Sequence, residues 1–157
     1  MFTVLLVDDD SMVLRFCACV LSRMEGVQVI QASSGAEAIG LAASCETQID
    51  LLLSDITMPG AVSGIDLATW FGRARPGTRV LLMSGWRDGP LALPADWHFL
   101  EKPFLPDRLI AEVNEALGRR VGQVADSAVG NVGVCAESRE WKVQGRGAAE
   151  AGSGGKL

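Results

Sequence analysis

Short apolar runs alternate with segments of helical spacing five times along the first 118 residues. Val4-Leu5-Leu6-Val7 reads as a buried strand and stops at Asp8-Asp9-Asp10. Ser11 is a candidate cap for a helix in which Val13, Phe16, Cys17, Val20, Leu21 and Met24 recur at helical spacing, with Gly26 as its end. Val27-Gln28-Val29-Ile30-Gln31 alternates as a half-covered edge strand does. Ser34 caps a second predicted helix, running to about Cys45, with Ala38, Ile39, Leu41 and Ala42 as its buried stripe. Leu51-Leu52-Leu53, following Ile49, is continuous rather than alternating, the pattern of a strand covered by helices on both faces. That run ends at Ser54-Asp55, and Pro59-Gly60 then breaks regular structure.

The second half repeats the scheme. Ile65, Leu67, Ala68 and Phe71 predict a helix ending near Arg73, before Pro76-Gly77. Arg79-Val80-Leu81-Leu82-Met83 predicts a fourth strand stopping at Ser84-Gly85. Gly89, Pro90 and Pro94 weaken any helix before the fifth strand, Trp97-His98-Phe99-Leu100, which is followed by Glu101-Lys102-Pro103-Phe104. Pro106 suits the first turn of a last helix with Leu109, Ile110, Val113, Ala116 and Leu117 on its apolar face. Strands alternating with helices in this way imply parallel crossovers in one open α/β sheet.

The polar residues fall where such a sheet binds ligands. Asp8, Asp9 and Asp10 close strand one, Asp55 strand three, Ser84 strand four and Lys102 strand five, all at carboxyl ends. With strand order 2-1-3-4-5, the switch point lies between strands one and three, which carry the acids. Carboxylates from neighbouring strands need a compensating charge, and a hard divalent cation with oxygen ligands, Mg²⁺ first among them, supplies it. A lone ammonium suits phosphoryl oxygens, and a strand-end hydroxyl with adjacent glycine amides adds donors. Together these are the components of phosphoryl transfer to a carboxylate.

Charge and composition narrow the partners. The net charge of −5 argues against a nucleic-acid-binding surface, and the acids concentrate in residues 1–118, with 15 Asp+Glu against 8 Lys+Arg. The four cysteines show no CxxC pairing and read as reduced thiols, mostly small core filler. No apolar run approaches the ~20 residues of a membrane span, and the N-terminus has no basic region ahead of its apolar run, so a cytoplasmic location is expected. Residues 119–157 contain eight glycines without periodic stripes and read as a disordered tail lacking the basic helix pair of a DNA-binding output.

In order and spacing, Val7-Asp8-Asp9-Asp10, Ser54-Asp55 with Met58-Pro59-Gly60, Met83-Ser84-Gly85 and Glu101-Lys102-Pro103-Phe104 resemble the receiver domain of two-component response regulators, over about residues 2–118. The resemblance implies a flavodoxin-like, doubly wound, five-stranded parallel sheet in the order 2-1-3-4-5, here with its fourth helix, between strands four and five, reduced. It divides the chain into a receiver domain, 1–118, and a tail, 119–157, of a stand-alone type that signals by protein contact. It implies that Asp55 accepts a phosphoryl group from a histidine kinase or histidine phosphotransfer protein. Mg²⁺ would be held by Asp9, Asp55 and the Thr57 backbone carbonyl, with Asp8 acting through metal-bound water. Lys102 would pair with the phosphoryl group, Ser84 would hydrogen-bond it, and the Lys102-Pro103 bond is expected cis.

Each residue has a plainer reading. Asp10 is assigned one, a first-turn acid favoured by the helix dipole. Phe99 reads equally as core or as the aromatic switch position of the resemblance. His98, the only histidine, is read as structural. The loop Pro59–Gly64 is one residue longer than the commonest receiver form, and Trp86, two beyond Ser84, is expected to alter the lifetime of a phosphoryl-aspartate. Two other functions remain open: a haloacid-dehalogenase-type phosphatase with Asp8-Asp9-Asp10 as its Asp-x-Asp, and an interaction module independent of phosphorylation. Neither accounts for the full set of Asp55, Ser84 and Lys102.

Overall fold

The computed structural model describes residues 1–85 and 92–119. Within them β1 (Phe2–Val7), β2 (Val27–Ala32), β3 (Leu51–Asp55), β4 (Arg79–Ser84) and β5 (His98–Glu101) are joined by α1 (Ser11–Leu21), α2 (Gly35–Ser44) and α3 (Gly64–Ala74), with α4 (Pro106–Ala116) last. All pairings are parallel and the order is β2-β1-β3-β4-β5, the flavodoxin-like arrangement expected from the sequence. Among the described residues no helix joins β4 to β5; Leu93 and Trp97 of that connection pack onto the core as irregular chain. Trp86 and the tail from residue 120, with Cys135 and Trp141, lie outside the described residues.

The two-residue period of the strands sorts the core into two layers. Leu5, Val7, Leu52, Val80 and Leu82 face Ala38, Ala42, Leu67, Ala68 and Phe71 on the α2–α3 side. Val4, Leu6, Leu51, Leu53, Leu81 and Met83 face Cys17, Leu21, Leu109 and Val113 on the α1–α4 side. The triple leucine is therefore continuous because β3 is buried at every position. β2, at the sheet edge, is half-buried along most of its length instead of alternating cleanly.

Several boundaries differ from the sequence reading. Asp10, not Ser11, caps α1: its carboxylate accepts from the N–H groups of Met12 at 2.8 Å and Val13 at 3.4 Å. Aspartate ranks with serine as a cap, and the residue with extended backbone takes the role. α1 stops at Leu21, and Gly26, at φ 70°, makes the later turn into β2. Phe16 is 39% exposed rather than core, its ring 6.1 Å from that of Phe104. Trp97 precedes β5, donating its N–H to the Pro94 carbonyl at 3.1 Å. Ser34 caps α2 as expected, and Ser63 and Asp66 form a reciprocal capping box at α3.

Arg75, just after α3, reaches across to the end of α2. Its Nη2 donates to the carbonyls of Ala42 at 2.6 Å and Cys45 at 2.7 Å, and Nη1 donates to that of Thr47 at 3.4 Å. A guanidinium thus satisfies carbonyls that the last helical turn leaves open. It ties the two helices together at the sheet end opposite the acids.

Candidate functional site

Strand register brings the polar residues into one row. The last β1–β3 pair is Val7 with Ser54, so one further step sets Asp8 beside Asp55. Asp55 pairs with Met83 across β4, and Ser84 pairs with Glu101 across β5, one residue before Lys102. Alternation assigns Asp8, Asp55 and Lys102 to the same layer as Leu6, Leu53 and Leu100, the α1–α4 side.

There the three side chains meet. Lys102 Nζ lies 2.7 Å from Asp8 Oδ2 and 2.6 Å from Asp55 Oδ1. Asp8 is 1% exposed and also accepts the Asp10 N–H on Oδ1 at 2.9 Å, so both its oxygens are engaged. Asp55 is 6% exposed. Lys102 is fixed through its backbone, whose N–H donates to the Ser84 carbonyl at 2.7 Å, and its bond to Pro103 is cis, as expected.

One ammonium does not balance this cluster. Burial pushes the Asp55 carboxyl above the usual carboxylate range; the Lys102 hydrogen bond and charge pull it down, and the charges of Asp8 and Asp9 add to the rise. Desolvation works against the Lys102 ammonium, but its hydrogen bonds to Asp55 and Asp8, with their charges, outweigh it and hold its pKa above the ordinary lysine value. The Lys102 shift reflects its two acidic partners, whereas the Asp55 shift reflects chiefly burial. Beneath the site the Cys17 thiol is pushed up to about 12, first by burial and then by the Asp8 charge.

The other expected residues take distinct places. Asp9 is exposed at the mouth, and its charge reaches Asp55. Thr57 follows β3 on an exposed loop. Ser84 is buried at the end of β4, its hydroxyl donating to the Gly85 carbonyl at 3.0 Å. Phe99 is 41% exposed on β5, so it is not core. Half-buried His98 lies at the other end of β5 from Lys102.

Sequence reasoning gave no role to Gly64, the first residue of α3. A Cβ there would overlap the Asp55 carbonyl oxygen, and the Gly64 N–H donates to the Ile56 carbonyl at 2.9 Å. Only glycine lets α3 start against the backbone of the acid. Its position directly after a capping serine was the available signal.

Among the described residues no group of three or more His, Cys, Asp or Glu side chains forms a ready metal cage. Asp8, Asp9 and Asp55 nonetheless offer hard oxygen donors with a negative surplus that Lys102 leaves unbalanced, and this donor set fits Mg²⁺.

The fold and this cluster of strand-end acids and lysine define a signalling domain of the two-component type. The family description "Response regulator receiver domain" matches residues 4–114, and the chain belongs to that family. It is 32% identical over 122 residues to the sensor kinase CckA of Brucella abortus, covering 75% of this chain and 13% of that protein. It is 34% identical over 121 residues to the transcriptional regulatory protein FixJ of Azorhizobium caulinodans, covering 74% of this chain and 56% of that one. The solved response regulator receiver protein from Sinorhizobium medicae is 30% identical, with a TM-score of 0.65 over 74% of this chain and 94% of that chain. The chain spans between 13% and 56% of the length of the curated relatives it matches. Receiver domains are signalling domains rather than classical enzymes. No described helix is long and apolar enough to cross a membrane.

Proposed function

We propose that residues 1–118 act as a phosphorelay receiver in which Asp55 is the phosphoacceptor. The observation that carries this reading is the Lys102 ammonium lodged between Asp8 and Asp55, at 2.7 and 2.6 Å, where three strand ends meet. An Asp55 carboxylate oxygen attacks the phosphorus of a phosphohistidine on a histidine kinase or phosphotransfer protein. The P–N bond breaks, the imidazole leaves with its electron pair, and an acyl phosphate remains on Asp55. Lys102 turns from the carboxylates to the incoming phosphoryl oxygens, and the Ser84 hydroxyl hydrogen-bonds one of them.

Asp8, Asp9, Asp55 and the Thr57 carbonyl would hold Mg²⁺, Asp8 through bound water. When bound, the ion neutralises charge on the phosphoryl oxygens. Loss of the phosphoryl group to water returns the domain to its starting state. Redirected Ser84 and Lys102 favour one of two packings around β4 and β5, with Phe99 as the aromatic that changes exposure. Output is by protein contact.

Incubation with Mg²⁺ and acetyl phosphate tests this. The expected result is a base-labile phosphoryl mass addition on the peptide carrying Asp55, absent in Asp55→Asn. Modification at Asp8 instead would support the dehalogenase-type chemistry. No modification at all would leave an interaction module independent of phosphorylation.

A further inference from the structure

The loop that carries Thr57 and Met58 is closed at its neck by the Gly64 N–H to Ile56 carbonyl bond at 2.9 Å. Between those ends it returns to the core twice: Met58 is buried in the α2–α3 layer, and Val62 packs against the same layer. Val62 also meets α2 itself. A Cβ added to Gly35, the first residue of α2, would lie 2.6 Å from Val62 Cγ1 and 2.7 Å from the Val62 carbonyl oxygen. The loop rests on bare backbone at Gly35, much as α3 rests on the Asp55 carbonyl at Gly64. A Cβ added to Gly40, also in α2, would meet nothing within 4 Å, so the close approach is particular to Gly35.

We infer that Gly35 and Val62 are positioning residues for the acid crevice, a clasp by which α2 sets the backbone at Thr57 and Met58. The inference rests on the Mg²⁺-binding role proposed above. Neither residue lies at the strand ends that carry Asp8, Asp55 and Lys102. They act by fixing where the loop leaves the core, and so where its carbonyls stand relative to Asp55. Coupling of this kind is reciprocal: a ligand that fixes the Thr57–Met58 backbone also fixes the first turn of α2.

The test is Mg²⁺ titration calorimetry on the full chain, with melting in EDTA, for wild type, Gly35→Ala, Val62→Ala and Gly40→Ala. Gly35→Ala and Val62→Ala should each weaken Mg²⁺ binding about tenfold, the scale of a lost outer support at a metal site. Uptake of phosphoryl groups at saturating Mg²⁺ should stay near the wild-type rate. Gly40→Ala should bind Mg²⁺ as wild type does. Amide exchange in the first turn of α2, at Glu37 and Ala38, should slow when Mg²⁺ is added to wild type and not when it is added to Val62→Ala. Wild-type Mg²⁺ affinity in both clasp variants, with only a lower melting point, makes the contact purely structural and overturns the inference. If Gly35→Ala does not fold, Val62→Ala alone decides. Failure of wild type and Gly40→Ala to bind Mg²⁺ overturns the functional reading, and this inference with it.

Discussion

Lys102 Nζ stands 2.6 Å from Asp55 Oδ1 and 2.7 Å from Asp8 Oδ2, a single cation shared by two carboxylates that are each nearly sealed from solvent. The ammonium keeps the acids together and fills the space between them.

Lys102→Met should therefore destabilise the metal-free protein by roughly 3 kcal/mol at pH 7, because two buried carboxylates lose their partner. The lysine's pKa lies above its unfolded 10.5, so its stabilising contribution is complete below pH 10.5 and lost only as pH climbs through the folded value. In the variant the Asp55 carboxyl loses the hydrogen bond and charge that hold its pKa down, so it is easier to protonate in the folded state and stability should recover as pH falls. Urea unfolding in EDTA at pH 5 and pH 7 checks this; a deficit equal at both pH values contradicts the charge argument.

Asp55→Asn should raise stability in EDTA, by on the order of 1 kcal/mol or about 4 °C. The Asp55 carboxyl has a raised pKa, chiefly through burial, so the native state holds its proton more tightly than the unfolded chain does. Stability is then lost as pH rises from 3.8 through the folded value, and the neutral amide avoids that loss. Melting curves from pH 4 to 7 should show the variant's advantage growing with pH.

Mg²⁺ should restore what the acids cost. At a tenfold excess over its dissociation constant the ion adds about 1.4 kcal/mol to the wild type. Asp8→Ala and Asp55→Asn should lose most of that gain. A sodium chloride control at equal ionic strength separates binding from screening, which acts on every exposed charge alike.

Two glycines of α3 should behave oppositely. Gly64→Ala places a methyl group on the Asp55 carbonyl oxygen and should cost about 3 kcal/mol, in the range of strong overpacking. Gly72→Ala has open space at that point and should stabilise the helix by about 0.5–1 kcal/mol. Denaturant midpoints of the two variants give the comparison directly.

Of the three described cysteines, Cys17 should resist alkylation in the folded protein while Cys19 and Cys45 react. Cys17 is buried beside Asp8 with its thiol pushed up to about 12, whereas the other two are partly exposed. Mass mapping after brief iodoacetamide treatment at pH 8 reads the order.

The strands and the convergence of Asp8, Asp55 and Lys102 were legible because each apolar run ends at a polar residue on the same side of a parallel sheet, while the strand order came with the family resemblance. Local boundaries were less so. Ser11 and Asp10 are both good caps, and only backbone geometry selects between them. Phe16 fits a helical stripe by spacing, yet it is turned partly to solvent and meets Phe104 instead. Close approaches left no trace in the apolar pattern, since Gly35 and Gly64 matter for an atom they lack. The sharing of Lys102 between two acids likewise follows from side-chain reach across three strands, which spacing along the chain does not encode.

Arg75 bolts the foot of α2 to the foot of α3 through three carbonyl oxygens. Sliding one of these helices past the other means breaking charged hydrogen bonds, so that flank of the sheet behaves as a slab. The opposite flank has a lighter tie, the Arg119 guanidinium beyond α4 donating to the single Glu25 carbonyl at 3.1 Å, so the two faces of the sheet are held unequally.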